Sequence, residues 1–314
     1  MADSGGNWER ETIEKLAFAA LKEQRRARLW GIFFKLLTFA YVTFILVMAF
    51  DWKDKQEGSS EPHTALVELN GVIGAGTDAS AEKVNAALNA AFKDKGTRGV
   101  VLRINSPGGS PVQSQAIYDE MRRLKKKYPN IPLYAVVEDI CASGGYFVAV
   151  GADRIYVAKS SIVGSIGVRM DSFGFTGLME KLGVERRLLT AGQNKGLLDP
   201  FLPVDEKQKE HMVGMIGDIH EQFISVVKEG RGKRLKESPE IFSGLIWTGA
   251  KSLELGLADA IGTLDLVARD VIKAEDIVDY TQKENVAEKL ARRFGASVAS
   301  TFADVLMRNA VTPR

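Results

Sequence analysis

Three turns in this sequence combine glycine with serine directly after an apolar run, and a serine in such a turn can act as a nucleophile. They are Asn105–Gly109, Ala142–Gly145 and Val163–Gly167. Glycine permits left-handed or closely packed backbone, and a helix that starts there leaves N–H groups free. Such amides can stabilise an oxyanion beside a nucleophile. A serine in such a turn is therefore a candidate nucleophile, although each turn alone is better explained as a structural strand-to-helix connection.

A serine nucleophile needs a base, and the histidines are badly placed to supply one. His211 and His220 are nine residues apart, on opposite sides of a predicted helix, and His63 falls in a predicted linker. Lysine is the other base used with serine, and it accepts a proton only when it is neutral. Lys195 lies among small and polar residues, with no acidic residue in the six positions before it. The sequence therefore allows a Ser-Lys pair, while a solvated surface charge is the alternative for any single lysine.

The only cysteine, Cys141, precedes Ser143 by two residues. With no histidine nearby to generate a thiolate, we expect a small buried hydrophobic residue and not a nucleophile. One cysteine and three histidines also leave few ligands for a metal. No metal site and no cofactor are predicted.

Strand-like and helix-like segments alternate from residue 65 onward, which predicts an α/β domain with a largely parallel sheet. Predicted strands cover 66–72, 99–104, 133–137 and 154–157. Ser80 and Ser110 are predicted helix N-caps, and Asp205 is predicted to lie at the start of a long helix. Each glycine-serine turn follows an apolar strand, so the candidate chemical groups are expected where strands end.

Five motifs in a fixed order resemble the signal peptide peptidase A family over about residues 65–266. They are Asn105–Gly109, Ser143–Tyr146, Gly164–Val168, Lys195 with Pro200–Phe201, and Trp247–Gly249 followed by Gly256–Asp259 and Gly262. The resemblance implies a Clp-protease-like, crotonase-related α/β fold. It also implies that Ser143 is the nucleophile and Lys195 the general base.

The same resemblance assigns supporting roles to other residues. Ser165 would orient the lysine, and Gly109 and Gly144 would offer oxyanion N–H groups, with Gly108 as an alternative to Gly109. The implied activity is a membrane-anchored serine endopeptidase that cleaves remnant signal peptides and other membrane-associated peptides. The chain looks like a short, single-repeat member, and by analogy we expect a homo-oligomeric, eight-subunit ring. A crotonase-type acyl-CoA enzyme and a catalytically silent membrane scaffold are the alternatives.

Residues 29–50 are expected to cross a membrane as a helix. These 22 residues contain one charge, Lys35, and would rise about 33 Å, close to the thickness of a bilayer core. Basic residues are concentrated before the segment and acidic residues after it, which predicts a cytoplasmic N-terminus at 1–28 and an exported remainder. For a member of this family, the membrane would be the bacterial inner membrane.

The remaining sequence is expected to form a linker at 51–64, a peptidase domain at 65–275 and a tail at 276–314. In the tail, apolar residues recur every four positions from Val286 to Leu306, a pattern suited to packing on a neighbouring subunit or on the same domain. The net charge of +2 gives no support for nucleic-acid binding.

Overall fold

A computed structural model describes residues 6–54, 61–236 and 238–282. The chain divides into two compact units, Met1–Gly58 and Ser59–Arg314. The first unit contains one helix, α1 (Gly6–Asp54). Its segment Glu11–Phe44 is long and apolar enough to cross a membrane, and its side chains are exposed. The helix is thus longer than the span predicted at 29–50, and includes it.

The second unit is built on an eight-stranded mixed sheet. Its strands are β1 (His63–Asn70), β2 (Thr97–Ser106), β3 (Leu133–Ala142), β4 (Arg154–Val157), β5 (Ile162–Gly164), β6 (Ile246–Thr248), β7 (Ala260–Ile261) and β8 (Ile277–Asp279). The main order is β6-β5-β3-β2-β1-β8, and β4 pairs with β3 and β7. All neighbours are parallel except β5 and β6. The predicted α/β class with a largely parallel sheet is confirmed.

Helices follow the strands in most of the crossovers. They are α2 (Ala81–Lys93), α3 (Pro111–Lys127), α4 (Gly144–Ala149), α5 (Thr176–Leu182), α6 (Glu206–Arg231), α7 (Gly249–Glu254) and α8 (Leu264–Leu266). Ser80 occupies the N-cap position of α2, but its side chain makes no capping bond. The Ala81 amide instead donates to the Gln113 side chain, 2.9 Å away. Ser110 does cap α3, because its hydroxyl accepts from the Gln113 amide.

Strand β3 changes partner along its length, and this fork positions the candidate site. Its first half pairs with β4 through residues 134–136, whereas its last three residues, 140–142, pair with β5. The strands β2 and β3 end at Ser106 and Ala142, so the turns that follow them lie at the same carboxyl edge of the sheet. Ligand sites in parallel sheets form at this edge.

The sheet extends slightly beyond the range expected for the peptidase domain. Strand β1 begins at His63, and the backbone of β8 pairs with Thr64, Ala65 and Leu66 of β1. The strands at the two ends of the domain, β1 and β8, are therefore neighbours, and β8 forms one edge of the sheet. The apolar series predicted from Val286 to Leu306 lies outside the described residues.

Candidate active site

Ser143 lies in a strained turn between β3 and α4. Its φ and ψ angles are 51° and −124°, a left-handed conformation that is unfavourable for a residue with a side chain. The turn is held by backbone bonds, since the Ser143 amide donates to the Gly164 carbonyl and the Phe147 amide donates to the Ser143 carbonyl, both at 2.9 Å. A sharp strand-to-helix turn of this kind presents a serine hydroxyl at the end of a sheet. The side chain is half-buried, which suits a nucleophile that a substrate must reach.

Gly108, Gly109 and Gly144 pack closely around this turn. A Cβ atom added to Gly108 would lie 2.6 Å from the Gly144 amide nitrogen and 2.8 Å from the Ser143 Cβ. A Cβ atom on Gly144 would lie 3.2 Å from the Gly109 nitrogen. Only glycine permits this approach, so the sequence requirement at these positions has a direct steric cause.

The hydrogen bonds around Gly108 and Gly109 distinguish their two amides. The Gly108 N–H donates to the Ser106 hydroxyl at 3.1 Å. The backbone of Ile73 forms a parallel bridge with this loop. The Ile73 N–H donates to the Gly108 carbonyl, and the Ile73 carbonyl accepts from the Ser110 amide. In this parallel bridge the Gly109 N–H points away from Ile73, and it has no recorded partner within the described ranges. Gly109 is also exposed, whereas Gly108 is buried.

Ser165 directly follows Gly164, whose carbonyl accepts a hydrogen bond from the Ser143 amide. Its φ angle is 53°, and its amide donates to the Leu245 carbonyl at 2.7 Å. Gly164 packs against the Trp247 ring, because a Cβ atom there would lie 3.0 Å from that ring. The edge strand β6 therefore supports the Gly164–Ser165 turn, and that turn supports Ser143.

Within the described residues, Lys195 makes no hydrogen bond with Ser143. It lies in an exposed segment, residues 169–205, which we call the lysine arm. The Lys195 side chain is exposed, and the described part of the chain contains no hydrogen bond or ion pair from it. The arm is held by its own contacts, such as the stacked rings of Phe175 and Phe201 and the ion pair between Arg186 and Asp199.

The lysine arm exposes an unusual number of large apolar side chains. Leu189 is 96% exposed and Phe173 76% exposed. The other exposed apolar residues of the arm are Met170, Phe175, Leu178, Leu182, Val184, Leu188, Leu198, Phe201 and Val204. So many exposed apolar side chains in one segment are typical of a region that contacts another molecule.

The other side chains that could act as a nucleophile or a base are Cys141 and the three histidines. The Cys141 side chain is fully buried, and burial raises the pKa of its thiol, so the thiolate is disfavoured. His63 lies beside the Tyr280 hydroxyl at the start of β1. The His220 ring bonds the Ile166 carbonyl at 3.1 Å and makes no recorded contact with Ser143. His211 is exposed.

Sequence reasoning assigned no role to several residues that build the turn. The Ser106 hydroxyl donates to the Gly71 carbonyl at 2.6 Å, which joins the ends of β1 and β2 below the glycines. The buried side chains of Tyr146, Arg231 and Asp259 connect α4 to the loop before β7. Tyr146 and Asp259 belong to recognised motifs, but their partners are distant in sequence, and no local pattern marked Arg231.

Comparisons with known proteins agree with this architecture. The profile of Peptidase family S49 matches residues 125–277, and the profile named Clp protease matches residues 66–163. A solved structure, the 1510-N membrane-bound stomatin-specific protease, aligns over 72% of this chain and 100% of its own with 12% identity and a TM-score of 0.43.

Among curated relatives, the chain is 44% identical over 209 residues to the Na(+)/H(+) antiporter NhaA of Brucella melitensis. That match covers 65% of this chain but only 28% of the antiporter. A putative protease of Methanocaldococcus jannaschii is 36% identical, with 62% of this chain and 63% of the relative covered.

The putative signal peptide peptidase SppA of Enterococcus faecium is 31% identical over 234 residues. The match covers 72% of this chain and 67% of that protein. The matched profile of Peptidase family S49 and the similarity to the Enterococcus faecium protein show the family of this chain. The chain belongs to peptidase family S49, the signal peptide peptidase A family of serine peptidases.

Proposed function

We propose that this chain is a membrane-anchored serine endopeptidase that cleaves remnant signal peptides and other membrane-associated peptides. Ser143 is the nucleophile and Lys195 the general base. The observation that carries the proposal is the left-handed Ser143 turn at the carboxyl edge of the sheet, packed against the Gly109 and Gly144 amides.

In the proposed reaction, the Ser143 hydroxyl oxygen attacks the scissile carbonyl while its proton passes to the neutral amine of Lys195. The amides of Gly109 and Gly144 stabilise the oxyanion, and Gly109 is preferred to Gly108 because the Gly108 N–H already bonds Ser106. The lysine ammonium then returns the proton to the leaving amine. Water hydrolyses the acyl-enzyme by the same route in reverse, and the Ser165 hydroxyl orients the lysine.

The exposed lysine arm supports a homo-oligomer as the active form. Its apolar side chains would be covered if the arm packed on a second copy of the chain. Within the proposed assembly, the arm of one subunit supplies Lys195 to the Ser143 of its neighbour. The proposed assembly is a closed ring of eight subunits, by analogy with short members of the family.

The charge pattern around α1 supports anchoring in the bacterial inner membrane with residues 1–28 in the cytoplasm and the peptidase domain exported. A reporter that works only outside the cytoplasm should be active when it is fused after residue 51. Activity of a cytoplasmic reporter at that position would contradict the orientation.

Two substitutions test the dyad directly. Ser143→Ala and Lys195→Ala should each lower peptide hydrolysis by at least roughly 1,000-fold, and the double variant should be no worse, because the two residues act as a unit. Lys181→Ala, which removes another exposed lysine of the arm, is the matched control and should keep wild-type activity. Full activity in the Lys195 variant would exclude it as the base.

A further inference from the structure

One buried hydroxyl joins α4, the helix that directly follows Ser143, to a distant loop of the chain. Every residue of α4 is buried, and Tyr146 in its first turn is 0% exposed. The Tyr146 hydroxyl donates to the Leu257 carbonyl at 2.8 Å. Burial raises the pKa of this phenol, so it remains protonated and continues to donate. The bond joins the helix that carries the candidate nucleophile to a loop 111 residues further along the chain.

The loop that accepts this bond is itself held by a buried ion pair. The Arg231 side chain is 1% exposed; its Nε atom donates to the Gly256 carbonyl at 2.8 Å. Its two terminal nitrogens donate to the two carboxylate oxygens of Asp259 at 2.8 and 2.9 Å. Asp259 also accepts from the Ile155 amide. Leu257 therefore lies between two residues that Arg231 fixes, and its carbonyl has a defined position.

We infer that Tyr146 is a positioning residue for catalysis, which acts by fixing Ser143 and Gly144 against the Leu257 carbonyl. This inference rests on the proposed peptidase function. The candidate nucleophile and one oxyanion amide belong to the same short helix, so both move if the helix moves. Displacement of a reacting group by a fraction of an ångström lowers the rate of the chemical step more than it lowers substrate binding.

The chain contains a matched control for the loss of this hydroxyl. Tyr118 on α3 is 4% exposed and packs edge-on against Phe147 of the same helix, with ring centroids 5.7 Å apart. Its buried hydroxyl makes no hydrogen bond of normal geometry in the described part of the protein, although the Glu229 carboxylate interacts with it and helps to raise the pKa of the phenol. Tyr146→Phe and Tyr118→Phe therefore remove the same atom from buried rings in or against α4, but only the first breaks a hydrogen bond of normal geometry.

The experiment uses the full chain in detergent micelles. A fluorophosphonate titration with mass spectrometry counts the chains that are labelled at Ser143, and peptide hydrolysis is then expressed per labelled site. For Tyr146→Phe, we expect kcat per site to fall between roughly 10-fold and 100-fold with KM unchanged. For Tyr118→Phe, both constants should match the wild type.

Equal kcat values for the two variants, or a change confined to KM, would overturn the inference while leaving the proposed function intact. A wild-type chain that is not labelled at Ser143 would overturn both. If Tyr146→Phe fails to fold, Arg231→Lys tests the inference instead. Lysine keeps the positive charge but lacks the planar pair of nitrogens with which Arg231 bonds Asp259 and fixes the loop. A lower kcat per site in Arg231→Lys supports the inference, and an unchanged kcat overturns it.

Discussion

The serine turn and the lysine arm differ in almost every physical respect, although they carry the two halves of one proposed dyad. The serine turn is enclosed by the sheet and by packed helices, and its glycines leave no room for a methyl group. The lysine arm is exposed along most of its length; around Gly174 and Gly177 an added Cβ would meet no atom within 4 Å. Among the described residues, the glycines of the serine turn are closely packed, whereas the apolar side chains of the arm are exposed.

This difference indicates how the work is divided between the regions. A strained backbone such as that of Ser143 persists only where many contacts impose it, and the sheet provides those contacts. A lysine base needs removal from water, and the arm of one chain alone does not provide that for Lys195. The serine half should therefore be sensitive to internal substitutions, and the lysine half to the presence of neighbouring subunits.

Mixing two inactive variants gives the largest expected effect. If Lys195 is supplied by a neighbour, co-expression of Ser143→Ala and Lys195→Ala chains in equal amounts should produce rings in which roughly a quarter of the sites contain both residues. Activity should rise from the background of each variant alone to roughly that fraction of the wild-type rate. Hydrolysis of a fluorogenic peptide measures it. No recovery in rings that contain both variants would mean that neighbours do not share sites.

Replacement of a glycine by alanine should lower kcat in the serine turn but not in the lysine arm. A Cβ atom on Gly109 would lie 2.0 Å from the Ile73 carbonyl oxygen, so Gly109→Ala must displace the loop and its oxyanion amide. We expect kcat to fall roughly 100-fold to 1,000-fold, the usual cost of one oxyanion donor. Gly177→Ala in the arm meets no atom and should leave kcat unchanged. Comparable losses in both variants would contradict the difference between the regions.

The ion pairs of the two regions should differ in their contribution to stability. Asp259→Asn leaves Arg231 buried without a counter-charge, and we expect a loss of about 3–5 kcal/mol in the free energy of unfolding at neutral pH. Asp199→Asn breaks an ion pair with Arg186 that is partly exposed, and should cost much less. Urea unfolding of the full chain in micelles, followed by tryptophan fluorescence, measures both.

The stabilisation by Asp259 should also depend on pH. Burial would by itself raise the pKa of Asp259, but the hydrogen bonds and charge of Arg231 outweigh it and hold the pKa below its usual value. Because the folded pKa is the lower one, the stabilisation is complete above the unfolded-state pKa of about 3.9 and is lost as the pH falls through the folded pKa. The difference in the free energy of unfolding between wild type and Asp259→Asn should therefore disappear as the pH falls below about 4. A difference in the free energy of unfolding that stays constant below about pH 4 would contradict a lowered pKa of Asp259 in the folded protein.

The sequence predicted the local structure of this fold well, and its long-range contacts less well. Strand β4 was predicted at its observed limits, and Ser80 and Ser110 occupy the predicted N-cap positions of α2 and α3, because both follow from local sequence patterns. The start of α6 was also predicted, because Asp205 is its N-cap and the Asp205 side chain accepts from the Gln208 amide.

In the candidate site, too, the local motifs were predicted better than the long-range contacts. Glycine-serine motifs marked the strand ends, and the parallel sheet brings the first two turns to one edge. The choice between Gly108 and Gly109 depended on which N–H meets the Ser106 hydroxyl, a contact that composition does not encode. The roles of Tyr146 and Arg231 depend on partners 111 and 28 residues away, so local patterns could not predict them.

The most direct test of the Ser143–Lys195 dyad is the site and rate of labelling by a serine-reactive fluorophosphonate. The wild-type assembly in micelles should form one adduct per chain, which peptide mapping by mass spectrometry should locate on Ser143. The labelling rate should fall at least roughly 100-fold in Lys195→Ala, because the hydroxyl then has no base. An adduct on another residue, or a Lys195→Ala chain labelled at the wild-type rate, would contradict the dyad.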